Sequence, residues 1–350
     1  MTPAPHTNET EAPVVAILGL GQMALACAGM LTDAGVAADV RLWGHAEADA
    51  DELIQTRRSS KLPGFVLPES VFVSHDPAAV LPEADLLVSA IPVQATHGAW
   101  SAVREAVPAR AGVVSVAKGI ESGTLRRPTQ IIAEALADDP DAPARPLGCL
   151  SGPTIAAELA RCLPATMVAA AEDDAFAAGV QRCFSTSYMR IYTHHDLLGV
   201  ELAGATKNVI AIAAGILDGL QAGANAKSAL LARGLAEIAR LGAAMGAGHG
   251  TFFGIAGVGD LATTCFSPEG RNRQCGEALG RGTPLGEHLA KTGHVVEGVA
   301  TTGSVVALAK KFRVDMPITR AVHAVLEEET DPVTAIEGLM SRELKDEHVG

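Results

Sequence analysis

Aromatic residues are scarce in this chain of 350 residues: two Trp, two Tyr and eight Phe amount to 3% of it. Its cores must therefore be built from Ala, Val, Leu and Ile. With hydrophobic residues at 48% and charged ones at 19%, the balance is that of a folded globular protein, not a disordered one. Positive charge is short as well. The formal net charge of -13 repels nucleic acid and anionic membrane, and leaves a small anionic substrate dependent on a local basic cluster. No apolar run approaches the roughly 18 residues that a bilayer span requires, so membrane insertion is not expected. The six cysteines (Cys27, Cys149, Cys162, Cys183, Cys265 and Cys275) form no C-x-x-C pair and have no His at metal-ligand spacing. That pattern points to reduced thiols in a cytoplasmic protein without a metal site. The opening MTPAPHTNETEAP is polar and Pro-rich and reads as a short disordered tail, residues 1–13, not as a signal segment.

A chain this long exceeds the size at which single cores usually split, so two domains are expected. Residues 14–19 (VVAILG) form the continuous apolar run of a doubly covered parallel strand, and Met23 to Ala34 reads as a helix ended by Gly35. Short apolar runs recur at 40–43, 71–73, 86–90, 113–116, 147–150 and 165–170, separated by helix-length segments. This alternation predicts an α/β fold, an N-terminal Rossmann-like doubly wound sheet. Beyond about His195 the strand signal ends, and Ala/Gly/Leu-rich stretches at 198–217, 227–245 and 301–311 predict an all-α C-terminal domain. The expected division is 14–193 for dinucleotide binding and 194–350 for a helical substrate and catalytic domain.

Gly19-Leu20-Gly21-Gln22-Met23-Ala24 fits G-x-G-x-x-A directly after the first strand and at the start of the first helix. In that context Gly19 permits the tight turn, Gly21 lets backbone approach a pyrophosphate, and Ala24 allows close helix packing. The second strand ends in Trp43-Gly44-His45 without an acidic residue for a ribose diol. His45 tolerates a 2′-phosphate, so NADP and NAD both stay open.

Candidate chemistry is spread over several segments. Lys118 follows a strand and reaches the carboxyl edge of the sheet, where open α/β folds bind ligands; a surface lysine is the plainer alternative. Lys207 has Ala203, Gly204, Ile210 and Ala211 as its helical neighbours, so its amine must snorkel or meet a cavity. Desolvation there lowers its pKa toward the range of a usable acid or base. Asn208 is adjacent. Ser151-Gly152-Pro153-Thr154 opens a further helix, with Thr154 an N-cap or a crevice-facing hydroxyl. Asp260, in GVGDL, is a helix cap or an acceptor that orients a hydroxyl or a lysine. Arg271-Asn272-Arg273 is a compact basic patch in an acidic protein, a solvated loop or a phosphate grip. Glu297, in VVEG, caps a helix or bonds a cofactor amide.

Taken in order, LWGH, AKG, SGPT, KNVIAIAAG, RGLAE, GVGDL, RNR, VVEG and MPIT resemble the bacterial-type NAD(P)-dependent glycerol-3-phosphate dehydrogenases over nearly the whole chain. The resemblance implies an oxidoreductase that interconverts sn-glycerol 3-phosphate and dihydroxyacetone phosphate, supplying phospholipid synthesis. It implies Lys207 as proton donor and acceptor for the C2 oxygen, with Lys118 touching both cofactor and substrate. Gly152, Thr154, Asn208, Asp260, Gly270, Arg271 and Asn272 map onto the substrate site. Gly19, Gly21, Gln22, Met23, His45, Lys118, Ala156, Arg271, Val295 and Glu297 map onto the cofactor site. The chain departs from the family at Gln22-Met23-Ala24, where a small polar, an aromatic and a glycine are usual, and at Gly270, where a serine is common. A homodimer is allowed. Two rivals remain: a two-domain dehydrogenase of the hydroxyacid or ketopantoate type, and a non-catalytic nucleotide-binding scaffold.

Overall fold

The computed structural model describes residues 12–138, 143–292, 295–344 and 346–347; the expected disordered tail lies outside them apart from Ala12 and Pro13. Eight strands, β1 (Val14–Leu18), β2 (Asp39–Trp43), β3 (Phe72–Ser74), β4 (Leu86–Ser89), β5 (Gly112–Ser115), β6 (Leu147–Ser151), β7 (Ala165–Ala171) and β8 (Met189–His194), form one sheet in the order β3-β2-β1-β4-β5-β6-β7-β8. Every neighbouring pair is parallel except β6 and β7, which run antiparallel. The order reverses between β1 and β4, so the crevice for a ligand opens above their carboxyl ends. The fully buried β4 and β5 are apolar up to the serine that ends each, as a doubly covered sheet requires. This is the doubly wound α/β architecture expected, with helices following it.

β8 was not among the expected strands. Met189 and Ile191 are buried while Arg190 and Tyr192 are exposed, an edge-strand alternation that a search for continuous apolar runs passes over. Two of its outer carbonyls are taken: Gln181 Nε2 donates to that of Ile191 at 2.8 Å, and the Thr186 amide donates to that of Met189 at 3.0 Å. A strand edge blocked in this way is a poor template for aggregation.

The helices that place the site are α1 (Gln22–Ala34), α2 (Leu197–Gly219), α3 (Gly223–Met245), α4 (Asp260–Phe266), α5 (Arg271–Gly280), α6 (Glu297–Phe312) and α7 (Pro317–Leu326). α1 ends where expected, with Gly35 left-handed at φ 63°. α2 is the axis of the second core. It is 23 residues long and its most apolar 18-residue window has a mean hydropathy of 1.5, so it is long and apolar enough to cross a membrane by length and composition, and that window is 100% buried inside the protein. Glu201, Lys207 and Asn208 interrupt its apolar run without lowering the average enough, so no unbroken run marks it in the sequence.

α2 and α5 cross at backbone contact. A Cβ on Gly276 would stand 2.0 Å from the Ile212 carbonyl oxygen, and one on Gly215 would stand 2.0 Å from that of Arg273. Gly219 and Gly280 repeat the pattern one turn further along, with 2.4 Å to the Glu277 oxygen and 2.5 Å to the Ile216 oxygen. Each helix thus presents G-x-x-x-G to the other, and any side chain there would push them apart. The crossing fixes the first turn of α5, with Arg271 and Asn272, against the turns of α2 that follow Lys207.

Three carboxylates tie α2 and α3 to their surroundings. Asp196 caps α2 through the Gly199 amide at 2.8 Å, and also accepts from the Gly248 amide at 2.8 Å and the Thr251 hydroxyl at 2.6 Å. Buried Glu201 accepts from the Thr129 amide at 2.9 Å, the Thr129 hydroxyl at 2.8 Å and the Arg127 guanidinium, serving as a cap for the helix Pro128–Leu136. Glu237, in RGLAE on α3, does the same for α7, accepting from the Ile318 amide at 2.6 Å and from the Thr319 amide and hydroxyl at 3.2 Å. Both capped helices begin with Pro, which leaves their next amides in need of an acceptor. Glu201→Ala leaves a partly buried guanidinium and an amide unpaired, so the variant should lose about 3 kcal/mol of stability in urea denaturation, whereas Glu201→Gln should lose less.

Candidate active site

The nucleotide loop is pinned from both sides. Gly19 has φ 120°, its amide donates to the Trp43 carbonyl at 2.8 Å, and a Cβ there would stand 2.7 Å from the Ala90 carbonyl oxygen. Only glycine combines that backbone angle with that approach. Gly21 caps α1 without a side-chain bond, the first turn of α1 holds no acidic residue, and nothing lies within 4 Å of where a Gly21 Cβ would be. The amides of Gln22, Met23 and Ala24 have no preceding turn to bond to and stand at the positive end of a helix, which fits the diphosphate of a dinucleotide. Gln22 is exposed, while Met23 leans on the sheet core. His45 is exposed at the end of β2, with its ring centre 6.0 Å from that of Trp43.

Three segments distant in sequence meet beyond the ends of β5 and β6. Lys118, just past β5, donates from Nζ to Asp260 Oδ2 at 2.6 Å and to the Gly152 carbonyl at 2.9 Å. Lys207 on α2 donates to Asp260 Oδ1 and, at 2.6 Å, to the Thr264 hydroxyl. Asp260, the first residue of α4, is fully buried and so holds one ammonium on each carboxylate oxygen. Neither the surface-lysine reading of Lys118 nor the helix-cap reading of Asp260 survives. Burial pulls the Lys207 amine down to about 8; the Asp260 charge opposes that shift and the Lys118 charge adds to it.

Around this centre the asparagines act as struts. Asn208 Nδ2 donates to the Lys118 carbonyl at 3.1 Å, and Asn272 Oδ1 accepts from the Gly298 amide at 2.9 Å in the first turn of α6. Glu297, beside Gly298, is pushed up by burial and held back by the charges of Arg271, Lys118 and Lys207, in that order, so it shares one field with them. Arg271 Nη1 reaches the carbonyl of exposed Val295 at 3.3 Å. The basic patch is narrower than its sequence: Arg273 points the other way, to Asp218 at 2.8 Å and Glu277 at 2.9 Å, because successive helical residues diverge by about 100°. Thr154 is not an N-cap. Its hydroxyl bonds the Gly152 carbonyl at 3.1 Å, while Ile155 occupies the cap position of the short helix Ala156–Leu159. Gly270 caps α5 with no side-chain bond, and a Cβ there would stand 3.2 Å from the Thr264 carbonyl oxygen.

Models of the two halves of NAD-dependent glycerol-3-phosphate dehydrogenase match residues 14–177 and 196–337. The chain belongs to this family. A glycerol-3-phosphate dehydrogenase [NAD(P)+] of Prosthecochloris aestuarii is 42% identical over 343 residues, covering 95% of this chain and 99% of the relative. One from Salinibacter ruber is 41% identical over 335 residues, covering 95% and 97%. The crystal structure of glycerol-3-phosphate dehydrogenase from Coxiella burnetii superimposes with a TM-score of 0.88 at 34% identity, covering 94% of this chain and 99% of that one.

Within this glycerol-3-phosphate dehydrogenase fold, Thr264 is the contact that the motifs did not single out. A signal for it existed, since Thr264 stands four residues after Asp260 and so shares its helical face. Its hydroxyl accepts from Lys207 and donates to the Asp260 carbonyl at 2.7 Å. Because the Asp260 charge raises the Lys207 pKa, Asp260→Asn should move Lys207 below its value of about 8. An NMR titration of the Lys207 side chain checks this, and an upward shift would contradict the part assigned to the Asp260 charge.

Proposed function

We propose that this chain interconverts sn-glycerol 3-phosphate and dihydroxyacetone phosphate with NAD or NADP, through the centre built by Lys118, Lys207 and Asp260. The observation that carries the reading is the pair of ammoniums on one buried carboxylate, beside a helix that offers Arg271. The cofactor, when bound, supplies or accepts the hydride at the substrate's C2. The residues proposed to hold it are Gly19, Gly21, Gln22 and Met23 at the head of α1, His45 at the end of β2, and Ala156, Arg271, Val295 and Glu297, with Lys118 shared between cofactor and substrate.

Lys207 is the acid and base. With an amine near 8 it exists in both protonation states under ordinary conditions, and it gives its proton to the C2 oxygen as that oxygen becomes an alkoxide. Lys118 keeps its positive charge beside the same oxygen and steadies it electrostatically. Asp260 sets the two amines apart and keeps Lys207 from losing its proton too easily. Arg271, freed from the ion pairs that hold Arg273, offers a planar fork for the phosphate, with Asn272 and Gly270 completing the first turn of α5 and Gly152, Thr154 and Asn208 lining the lysine side. The hydroxyacid and ketopantoate alternative acts on carboxylate substrates and is less well supported by this helix terminus and its arginine. A silent scaffold has no use for two buried ammoniums.

The division near residue 193, the supply of glycerol 3-phosphate to phospholipid synthesis, a cytoplasmic site of action and a homodimer belong to the same proposal. Five of the six free cysteines are buried, and burial pushes the Cys27 thiol up to about 12, as suits a reducing compartment. Light scattering after gel filtration tests the dimer.

The deciding experiment follows NADPH and NADH oxidation with dihydroxyacetone phosphate. Turnover should appear with at least one cofactor and fall by about a thousandfold or more in Lys207→Ala; undiminished turnover in that variant refutes the role. Reduction needs protonated Lys207, so its kcat should decline as pH rises through about 8, while oxidation of glycerol 3-phosphate should gain over the same range. Arg271→Ala should chiefly raise KM for the phosphorylated substrate; an unchanged KM means that Arg271 is not a phosphate ligand.

A further inference from the structure

Among the described residues, two buried side-chain polar atoms lack a hydrogen-bond partner, Arg57 Nε and Ser151 Oγ. Arg57 is otherwise served, since its Nη2 donates to the Val71 carbonyl at 2.8 Å. Ser151 has nothing else to offer, and the residue is only 4% exposed. It ends β6 one residue before Gly152, whose carbonyl holds the Lys118 ammonium at 2.9 Å. A Cβ on Gly204 of α2 would stand 3.1 Å from Ser151 Oγ and 3.4 Å from Lys118 Cγ. The hydroxyl and the lysine stem therefore both border the space that residue 204 leaves by having no side chain. Gly204 is also one helical turn before Lys207.

An unpaired buried hydroxyl costs stability, and proteins seldom keep one without a use. The use has to be local. Lys118 has three N–H donors: one is on Asp260, one is on Gly152, and the third is available to the substrate oxygen. When a phosphorylated ketone enters and negative charge builds on its oxygen, the ammonium is drawn toward that charge and away from Asp260. The ammonium then has one acceptor fewer, and an unpaired hydroxyl, Ser151 Oγ, lies on the α2 side of the stem. We propose that Ser151 is a positioning residue of this reaction, its hydroxyl held in reserve as the partner that takes up the Lys118 ammonium when substrate draws it off Asp260. This rests on the functional reading above.

The proposal makes opposite demands on stability and activity. Ser151→Ala removes an unsatisfied hydroxyl, so the ligand-free variant should melt at or above the temperature of the natural chain. Its dissociation constant for NADPH or NADH should stay within about twofold, while kcat for dihydroxyacetone phosphate should fall about tenfold or more because Lys118 is no longer placed. Lys118 repels the proton on Lys207, so a drifting Lys118 should also move the basic limb of the reduction profile upward from about 8. Ser151→Cys, close in size but a weak hydrogen-bonding partner, should keep the melting temperature and recover little of the rate.

A variant with kcat within about twofold of the natural chain overturns the proposal. So does a rate loss that comes with a lower melting temperature and an unmoved pH limb, which is the mark of a merely structural serine. Absence of turnover in the natural chain itself overturns the functional reading and the proposal together, whereas turnover there with Ser151→Ala unimpaired overturns the proposal alone.

Discussion

A single carboxylate with an ammonium on each oxygen is the contact on which the site depends. Asp260 is sealed from water, and neither it nor Lys207 would stay charged there unpaired. Each partner arrives on a different element: Lys118 from the edge of the sheet, Lys207 from the middle of the longest buried helix, and Asp260 from the start of a short one. Docking those elements on one another is therefore the same event as completing the centre. The cluster carries one more positive charge than negative, which suits an anionic ligand in a chain whose overall charge is strongly negative.

The helix that carries Lys207, rich in Ala and Gly, is anchored at three places. Asp196 caps its start, Glu201 latches it to the helix that begins at Pro128, and the paired G-x-x-x-G crossing sets its distance from α5. Rate in a proton and hydride transfer is sensitive to displacements of about an ångström. A backbone-to-backbone crossing defines the spacing between Lys207 and the Arg271 turn better than long side chains would.

Much of this was legible in the sequence, for physical reasons that differ by residue. The Gly19 loop is local, its strand, turn and helix being contiguous, and it folds as its pattern predicts. Lys207 stood out because a lysine surrounded by Ala, Gly and Ile on a helix has to answer for its charge. What the sequence left open were long-range pairings. Whether Asp260 caps its own helix or bridges two lysines depends on what faces it, and it was the family resemblance, not the local pattern, that singled out Arg271 from Arg273. The reversal between β6 and β7 and the edge strand β8 escaped because apolar runs report burial on both faces and say nothing of strand direction. RGLAE and MPIT proved to be the two halves of one helix cap, a relation visible only once α3 and α7 lie together.

The hydropathy of α2 bears on how the protein is made. A 23-residue segment apolar enough to enter a lipid bilayer is a hazard for as long as it stays uncovered, since targeting factors read a nascent chain by that property. Every strand of the sheet, and the Arg127 and Thr129 donors that receive Glu201, precede α2 in the chain and leave the ribosome first. The order of the gene thus prepares a landing surface before that segment emerges.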